Sequence, residues 1–304
     1  MTTSTFAVLG PGGVGGLLGA LLARAGHQVV CLARPDTVTA LRKDGLTVSS
    51  GQYGEFTVPV EADTELREPV DACLVTVKAT TLDRALARVP ADTLGTGLVV
   101  PLLNGVEHMA VLRDRYPAAQ VVAGAIRVES TRVAAGRIEH ASPFAAIELA
   151  SDTAPRDRLD RLARELEAAG LDVAVRDDET TMLWTKLALL APLALLTTHA
   201  AAPVGTIRSE RRGDLLAVAD EIVAVSHAAG APVDACAIGA LFDRVPEAMK
   251  SSMQRDAEAG RPIELEAIGG AVIRAAERYG IGVPVTTRLV TDLRDRETTT
   301  PSSA

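Results

Sequence analysis

Apolar residues fall in short unbroken runs through the first half of the chain and at helical spacing through the second. A run at 6–9, a glycine-rich break and a helix-period segment at 14–25 open the sequence, and a second apolar run follows at 28–32. Runs at 70–77, 96–102 and 121–126 predict further buried strands, with helices at 82–89 and 108–115 between them. Short apolar runs bounded by turn residues suit strands covered on both faces. Their alternation with helices predicts an α/β domain built on a parallel sheet. Residues 138–149 read as antiparallel-type pieces around Pro143, followed by a charged helix at 155–169 and a last strand at 171–175. After Asp177-Asp178 the period is helical throughout, broken near 203–205, 230–232, 260–262 and 280–282. The expected division is therefore 1–177 and an all-helical 178–304, with the Thr/Ser-rich 297–304 as a disordered tail.

The break after the first run reads Gly10-Pro11-Gly12-Gly13-Val14-Gly15. In a strand–turn–helix context this G-x-G-x-x-G spacing predicts a doubly wound, Rossmann-type dinucleotide site. Gly10 permits the tight turn, Gly12 lets a pyrophosphate approach, and Gly15 lets helix and strand pack closely. The N–H groups at the helix start, on Gly13 and Val14, are the expected phosphate ligands. At the end of the second strand an NAD site usually carries an acidic residue for the ribose. Here the chain reads Ala33-Arg34-Pro35, with Asp36 next. A guanidinium at Arg34 can grip a 2′-phosphate through paired charge-assisted bonds, so NADPH is the expected cofactor.

Composition narrows the class. A chain of 304 residues buries roughly three quarters of its unfolded surface, so its core needs no staples. Three widely spaced cysteines (Cys31, Cys73, Cys236) form no C-x-x-C pair, which argues against zinc, a redox pair or a disulfide framework. A net charge of −8 disfavours nucleic acid as a partner. The start Met1-Thr2-Thr3-Ser4 lacks a basic leader region, and the most apolar helix, 183–196, is interrupted by Lys186 and Pro192 and too short for a bilayer. A soluble, cytoplasmic protein with no membrane partner is expected. The apolar faces of the helical domain leave a homodimer open.

Candidate chemistry gathers at strand ends, where doubly wound sheets place it. Lys78 follows the run 73–77 and Asn104 follows 98–103; each also reads as an ordinary loop residue. Lys186 lies between Trp184 and a long apolar stretch. It is either snorkelling to the surface or held in a cleft, where it could protonate a carbonyl oxygen as hydride arrives. The five histidines (His27, His108, His140, His199, His227) suggest no metal spacing; each reads as a polar or capping residue, with His108, just after Asn104-Gly105 and near a strand end, as the candidate for a histidine-based dehydrogenase. The run Arg208, Glu210, Arg211, Arg212 reads as a solvated helix start.

Taken in order, Gly10-x-Gly12-x-x-Gly15, Val77-Lys78, Asn104-Gly105, Trp184-x-Lys186-Leu187, Ser251-Ser252-Met253 and Glu264 resemble the ketopantoate reductases. These are two-domain NADPH enzymes of pantothenate biosynthesis. The resemblance runs from the glycine turn to 284–289. It implies reduction of a 2-oxo acid, ketopantoate to pantoate, with Lys186 as general acid and Glu264 as the carboxylate that binds the hydroxyl. It further implies that Ser252 contacts substrate, that Asn104 and Lys78 lie beside the nicotinamide and substrate, and that Arg34 takes the 2′-phosphate.

The departures bear on the substrate. The family carries asparagines four and eight residues after the lysine, where this chain has Leu190 and Ala194, and another shortly before Ser-Ser-Met, where it has Met249. Apolar side chains at substrate-binding positions 190, 194 and 249 remove hydrogen-bond partners, at about 1–3 kcal/mol for each buried group left unpaired. The alternative reading is therefore a related enzyme that reduces a bulkier, less polar ketone or imine. A non-catalytic NADP(H)-binding sensor needs the glycine turn and Arg34 but neither Lys186 nor Glu264.

Overall fold

The structure is a computed structural model and describes residues 3–299. By compactness the chain divides between Glu179 and Thr180, and the second unit also takes in Asn104–Glu107.

The first unit is organised by a five-stranded parallel sheet in the order β5-β2-β1-β6-β7. Its strands are β1 (Thr5–Leu9), β2 (Gln28–Leu32), β5 (Glu61–Asp63), β6 (Ala72–Val75) and β7 (Leu98–Pro101). This is the 3-2-1-4-5 arrangement of a doubly wound sheet, with the switch point between β1 and β6. Val8 of β1 pairs with Cys31 on one side and Leu74 on the other. All three are fully buried, as the unbroken apolar runs require. Helix α1 (Gly13–Arg24) follows β1 and buries Leu17, Leu18, Leu21 and Leu22 completely, each burial being favourable by about 1.5–3 kcal/mol.

The other face of α1 is covered by strands rather than by solvent. A four-stranded mixed sheet, β4-β3-β10-β9, packs there. It comprises β3 (Leu46–Ser50), β4 (Gly54–Val58), β9 (Ser130–Ala134) and β10 (Arg137–His140), with α2 (Pro35–Asp44) leading into it. Residues 35–69 carry no strong period, and the sequence expectations contained neither α2 nor β3, β4 and β5. The run at 121–126 also differs from expectation. It forms β8 (Ala123–Arg127) in a separate three-stranded sheet, antiparallel to β11 (Ala146–Ala150), which pairs in parallel with β12 (Asp172–Val175). Beside it a single bridge, Val99 to Val121, reaches the parallel sheet, and Gly124 of β8 packs against the end of β7 at Pro101. Helices α3 (Leu82–Leu86), α4 (Ala91–Leu94), α5 (His108–Arg115) and α6 (Arg156–Ala168) complete the unit.

The regular elements of the second unit, among the described residues, are all helices: α7 (Glu179–Ala200), α8 (Val204–Glu210), α9 (Arg212–Ala228), α10 (Ala235–Arg244), α11 (Ser252–Glu258), a π-helical segment Glu266–Gly270, α12 (Ala271–Tyr279) and α13 (Pro284–Thr299). Helix α7 is long and apolar enough by composition to cross a membrane, but 67% of its most apolar window is buried, so it is the core helix of this unit. Of the expected tail, 297–299 continue α13, and 300–304 lie outside the described residues.

In the expected solvated charge run Glu210 and Arg212 are exposed, and Arg212 opens α9, whereas Arg208 and Arg211 are half-buried scaffolding. Arg208 donates to the carbonyls of Phe242, Asp243 and Val245 at 2.8–3.2 Å. Arg211 donates to His199 Nδ1 and to Asp214, and Arg212 pairs with Asp243. A guanidinium cannot accept, so His199 Nδ1 accepts and its Nε2 donates to Asp292. Glu221 of α9 accepts from the N–H groups of Val285 and Thr286 at 2.8 Å each, closing the start of α13.

Burial pushes the Cys31 and Cys73 thiols up to about 12, whereas Cys236 is exposed. At pH 8 the two buried thiols are thus neutral as well as enclosed, and the thiolate is the nucleophile. Native protein is expected to titrate a single thiol, Cys236, with a chromogenic disulfide. All three should react in denaturant, and fast reaction of two or more native thiols would contradict the strand assignments of β2 and β6.

Candidate active site

The glycine turn occupies the carboxyl end of β1. Gly10 has φ +86°, in the region that favours glycine, and its N–H donates to the carbonyl of Leu32 at the end of β2. A Cβ on Gly15 would overlap Thr76 Oγ1 and lie 2.6 Å from the Gly10 carbonyl oxygen. This is the close helix–strand approach expected of the third glycine. At Gly12 the nearest atom to a Cβ would be 3.9 Å away, so the protein itself does not demand glycine there. That atom, the Gly10 carbonyl oxygen, is the one contact found within 4 Å of such a Cβ among the described residues, so there is room for a ligand beside this backbone. No side chain caps the start of α1, and the first N–H groups of a helix have no intrahelical acceptor. The donor set of Gly13 and Val14 therefore fits a pyrophosphate.

Two supports of this turn carried no sequence signal strong enough to single them out. Thr76 Oγ1 donates to the carbonyls of Leu9 and Gly10 at 3.1 and 2.9 Å. Ser130 Oγ donates to the carbonyl of Gly13 at 2.8 Å. Arg34 is exposed at the N-cap of α2, immediately beyond β2, and Pro35 starts that helix. Lys78 is half-buried beyond β6 and its carbonyl accepts from Thr81 N–H at 3.0 Å.

The helical unit gathers the remaining candidates. Asn104 Nδ2 donates to Glu264 Oε2 at 3.0 Å, and Glu264 is only 8% exposed. A carboxylate so enclosed needs donors in place of the water it has lost. Gly105 has φ +85°, and a Cβ there would overlap the carbonyl oxygen of Ala267. Lys186 is half-buried on α7, beside the buried Trp184 and Leu187. Ser251 caps α11 by accepting from Gln254 N–H and meets Thr197 Oγ1 at 2.8 Å, which leaves Ser252 exposed as the first residue of the helix. Of the three departures, Leu190 is half-buried, Ala194 is enclosed in the core, and Met249 is 40% exposed. The structure thus joins Asn104 to Glu264, and Thr197 to the cap beside Ser252. The five glycine-turn residues lie together at the end of β1.

A doubly wound sheet with a glycine turn, followed by a helical unit holding a buried carboxylate and a half-buried lysine, defines an oxidoreductase of the dinucleotide-binding kind. Residues 6–151 match the family Ketopantoate reductase PanE/ApbA, and residues 178–297 match its C-terminal part. The chain belongs to this family and is a 2-dehydropantoate 2-reductase-like oxidoreductase. It is 30% identical over 297 residues to the 2-dehydropantoate 2-reductase of Mycobacterium tuberculosis (strain ATCC 25618 / H37Rv), covering 93% of this chain and 95% of that one. Among solved structures, the 2-dehydropantoate 2-reductase of Geobacter metallireducens GS-15 superposes with a TM-score of 0.88 at 27% identity, covering 96% and 99%. A D-mandelate dehydrogenase solved with NADH and anilino(oxo)acetate shares the fold, with a TM-score of 0.89 at 19% identity and coverage of 97% and 99%.

Because Gly15 is wedged between Thr76 and the Gly10 carbonyl, Gly15→Ala should force α1 off the sheet. The expected loss is about 1–3 kcal/mol of stability from overpacking, together with weaker dinucleotide binding. Chemical denaturation and a fluorescence titration of the reduced cofactor check both; unchanged stability and binding would contradict the contact.

Proposed function

We propose that this enzyme reduces the carbonyl of a 2-oxo acid with NADPH, converting ketopantoate to pantoate. The observation that carries the reading is the hydrogen bond between Asn104 and the buried Glu264. The two residues lie 160 positions apart, and the family resemblance assigns both to the site. The N–H groups of Gly13 and Val14 hold the cofactor's pyrophosphate, and Arg34 takes its 2′-phosphate. Bound there, the reduced dinucleotide supplies hydride to the carbonyl carbon. Lys186, as an ammonium, donates its proton to the carbonyl oxygen while negative charge develops on it. Glu264, oriented by Asn104, accepts from the substrate hydroxyl. Ser252 and Lys78 contribute further polar contacts. Solvent then returns a proton to Lys186, so each turnover consumes one hydride and one proton.

A second reading is favoured by Leu190, Ala194 and Met249, namely a bulkier and less polar carbonyl or imine as the substrate. A pocket with few polar partners discriminates weakly for a substrate rich in hydroxyl groups. The fold is shared with a D-mandelate dehydrogenase, so fold alone does not select ketopantoate.

Loss of reduced-nicotinamide absorbance with ketopantoate, beside a panel of bulkier 2-oxo acids and with NADH in parallel, tests the reading. Saturable turnover of ketopantoate with preference for NADPH is expected. Tight NADPH binding with negligible ketopantoate turnover would move the assignment to the second reading. Lys186→Ala should lower kcat by about a hundred- to ten-thousandfold while NADPH still binds. If turnover survives in that variant, Lys186 is not the acid; if there is no turnover in the parent either, a non-catalytic NADP(H)-binding protein becomes the better description.

A further inference from the structure

The helical unit carries a chain of alternating charges made of Glu107, Arg274, Glu266 and Arg294. Arg274 Nε and Nη2 fork onto the two Glu107 oxygens at 2.8 and 2.7 Å. The same guanidinium donates from Nη1 to Glu266 Oε2 at 3.1 Å and from Nη2 to the Glu266 carbonyl at 2.7 Å. Arg294 forks onto the Glu266 carboxylate from the other side, at 2.7 and 2.9 Å. Planar guanidinium groups hold geometry in a way an ammonium cannot.

The positions of these partners give the cluster its meaning. Glu107 stands three residues beyond Asn104, and Glu266 two residues beyond Glu264. One guanidinium therefore spans the two segments whose other ends meet in the Asn104–Glu264 hydrogen bond. Between them Gly105 lies flat against the Ala267 carbonyl. Residues 104–107 group with the helical unit although their neighbours in the chain on both sides group with the first. Val106 seats this segment on the helical core, and Asn104 at one end and the exposed Glu107 at the other are tied by side-chain bonds to Glu264 and Arg274.

We propose that Arg274 is a positioning residue, which by gripping Glu107 and the Glu266 backbone together sets the Asn104–Glu264 pair that addresses the substrate. The proposal rests on the reductase reading above for its catalytic consequence, but not for its structural one. Arg274 and Glu107 are both nearly half exposed, and exposed pairs add only about 0–1 kcal/mol to stability. Misplacement of a site group by an ångström, in contrast, costs about a hundredfold in rate. The clamp should accordingly show in kcat and in local opening far more than in global stability.

Full-length parent, Arg274→Gln, Arg274→Lys and Glu107→Gln proteins are compared by hydrogen–deuterium exchange and by steady-state kinetics. In Arg274→Gln and Glu107→Gln, amide exchange over 103–108 and 264–270 should rise about tenfold, with the glycine-turn segment unaffected. With whichever 2-oxo acid the parent reduces, kcat should fall about ten- to a hundredfold, while NADPH binding stays as in the parent. Arg274→Lys keeps the charge without the fork and should recover little of either. Unchanged exchange in both segments of a folded Arg274→Gln overturns the proposal, as does raised exchange with parental kcat. Matching losses of kcat and NADPH binding overturn it too, since they describe general loosening. If the parent reduces no 2-oxo acid, the reductase reading fails by itself, and the exchange result, which needs no substrate, decides the clamp.

Discussion

The close approach of α1 to two sheets at once is the constraint on which the first unit depends. Its start is glycine at 13, 15 and 16, and each position lacks room for a methyl group. Gly15 faces Thr76 and the Gly10 carbonyl, Gly13 faces the Ser130 carbonyl, and Gly16 faces Ile138 of β10. The parallel sheet and the mixed sheet therefore grip the first turn of this helix from opposite sides. Thr76 and Ser130 add hydrogen bonds at the same turn. Such a helix start cannot shift without opening one layer or the other. Its free N–H groups are thus presented in a fixed direction, which an anion-binding site needs to avoid a reorganisation cost.

The helical unit is organised by different means. Its interior is a large apolar cluster around α7, and non-directional burial alone leaves helices free to slide. Polar pins remove that freedom: Arg208 on three carbonyls, Glu221 on the start of α13, and His199 between Arg211 and Asp292. Glu264 enters on the segment preceding a π-helical stretch, where an extra residue per turn changes which side chains face inward. Holding a carboxylate in a buried position costs desolvation free energy. Asn104 offsets part of it, so the loop bearing Asn104 and the segment bearing Glu264 are fastened together.

How much of this was legible in the sequence follows from how local each signal is. Strands of the parallel sheet are buried on both faces, so they stand out as unbroken apolar runs, and the glycine turn is a contiguous motif. Residues 35–69 gave no such signal, because β3 and β4 belong to a sheet with one polar face (Thr47, Ser49, Glu55, Thr57) and β5 spans only three residues. On the side away from β4, the partner of β3 is β10, some ninety positions away, and the pairing is parallel. No window of sequence contains that contact. The same limit applied to β8, whose apolar run marks a strand without saying which sheet it joins. In the candidate site, residue types came from motifs and from the family resemblance, whereas the Asn104–Glu264 contact and the grouping of 104–107 with the helices depend on tertiary packing. The charges at 208–212 divide for a related reason: Arg212 faces water while Arg208 meets backbone carbonyls, and a run of arginines looks the same in either case.

The departures on α7 bear on substrate through a count of available donors. Leu190 and Ala194 stand one and two turns beyond Lys186, and Thr197 about one turn further along the same face. Thr197 is the next polar group on that stripe, yet its hydroxyl is already committed. It donates to the Leu193 carbonyl at 2.8 Å, so in its contact with Ser251 it must accept. Ser251 in turn gives its only proton to Thr197 while accepting from Gln254 N–H. Neither hydroxyl retains a proton for a substrate; both are used to join α7 to the cap of α11. In the proposed reaction the helical unit then addresses the substrate chiefly through Lys186, Glu264, Asn104 and Ser252. Each substrate hydroxyl buried without a partner costs about 1–3 kcal/mol, or about five- to 150-fold in affinity. A hydroxyl-bearing substrate is favoured only if other donors reach it, and a less polar carbonyl carries no such requirement. In the reaction proposed above, Leu190, in place of an amide, is the position on α7 where a polar or an apolar substrate group would be told apart.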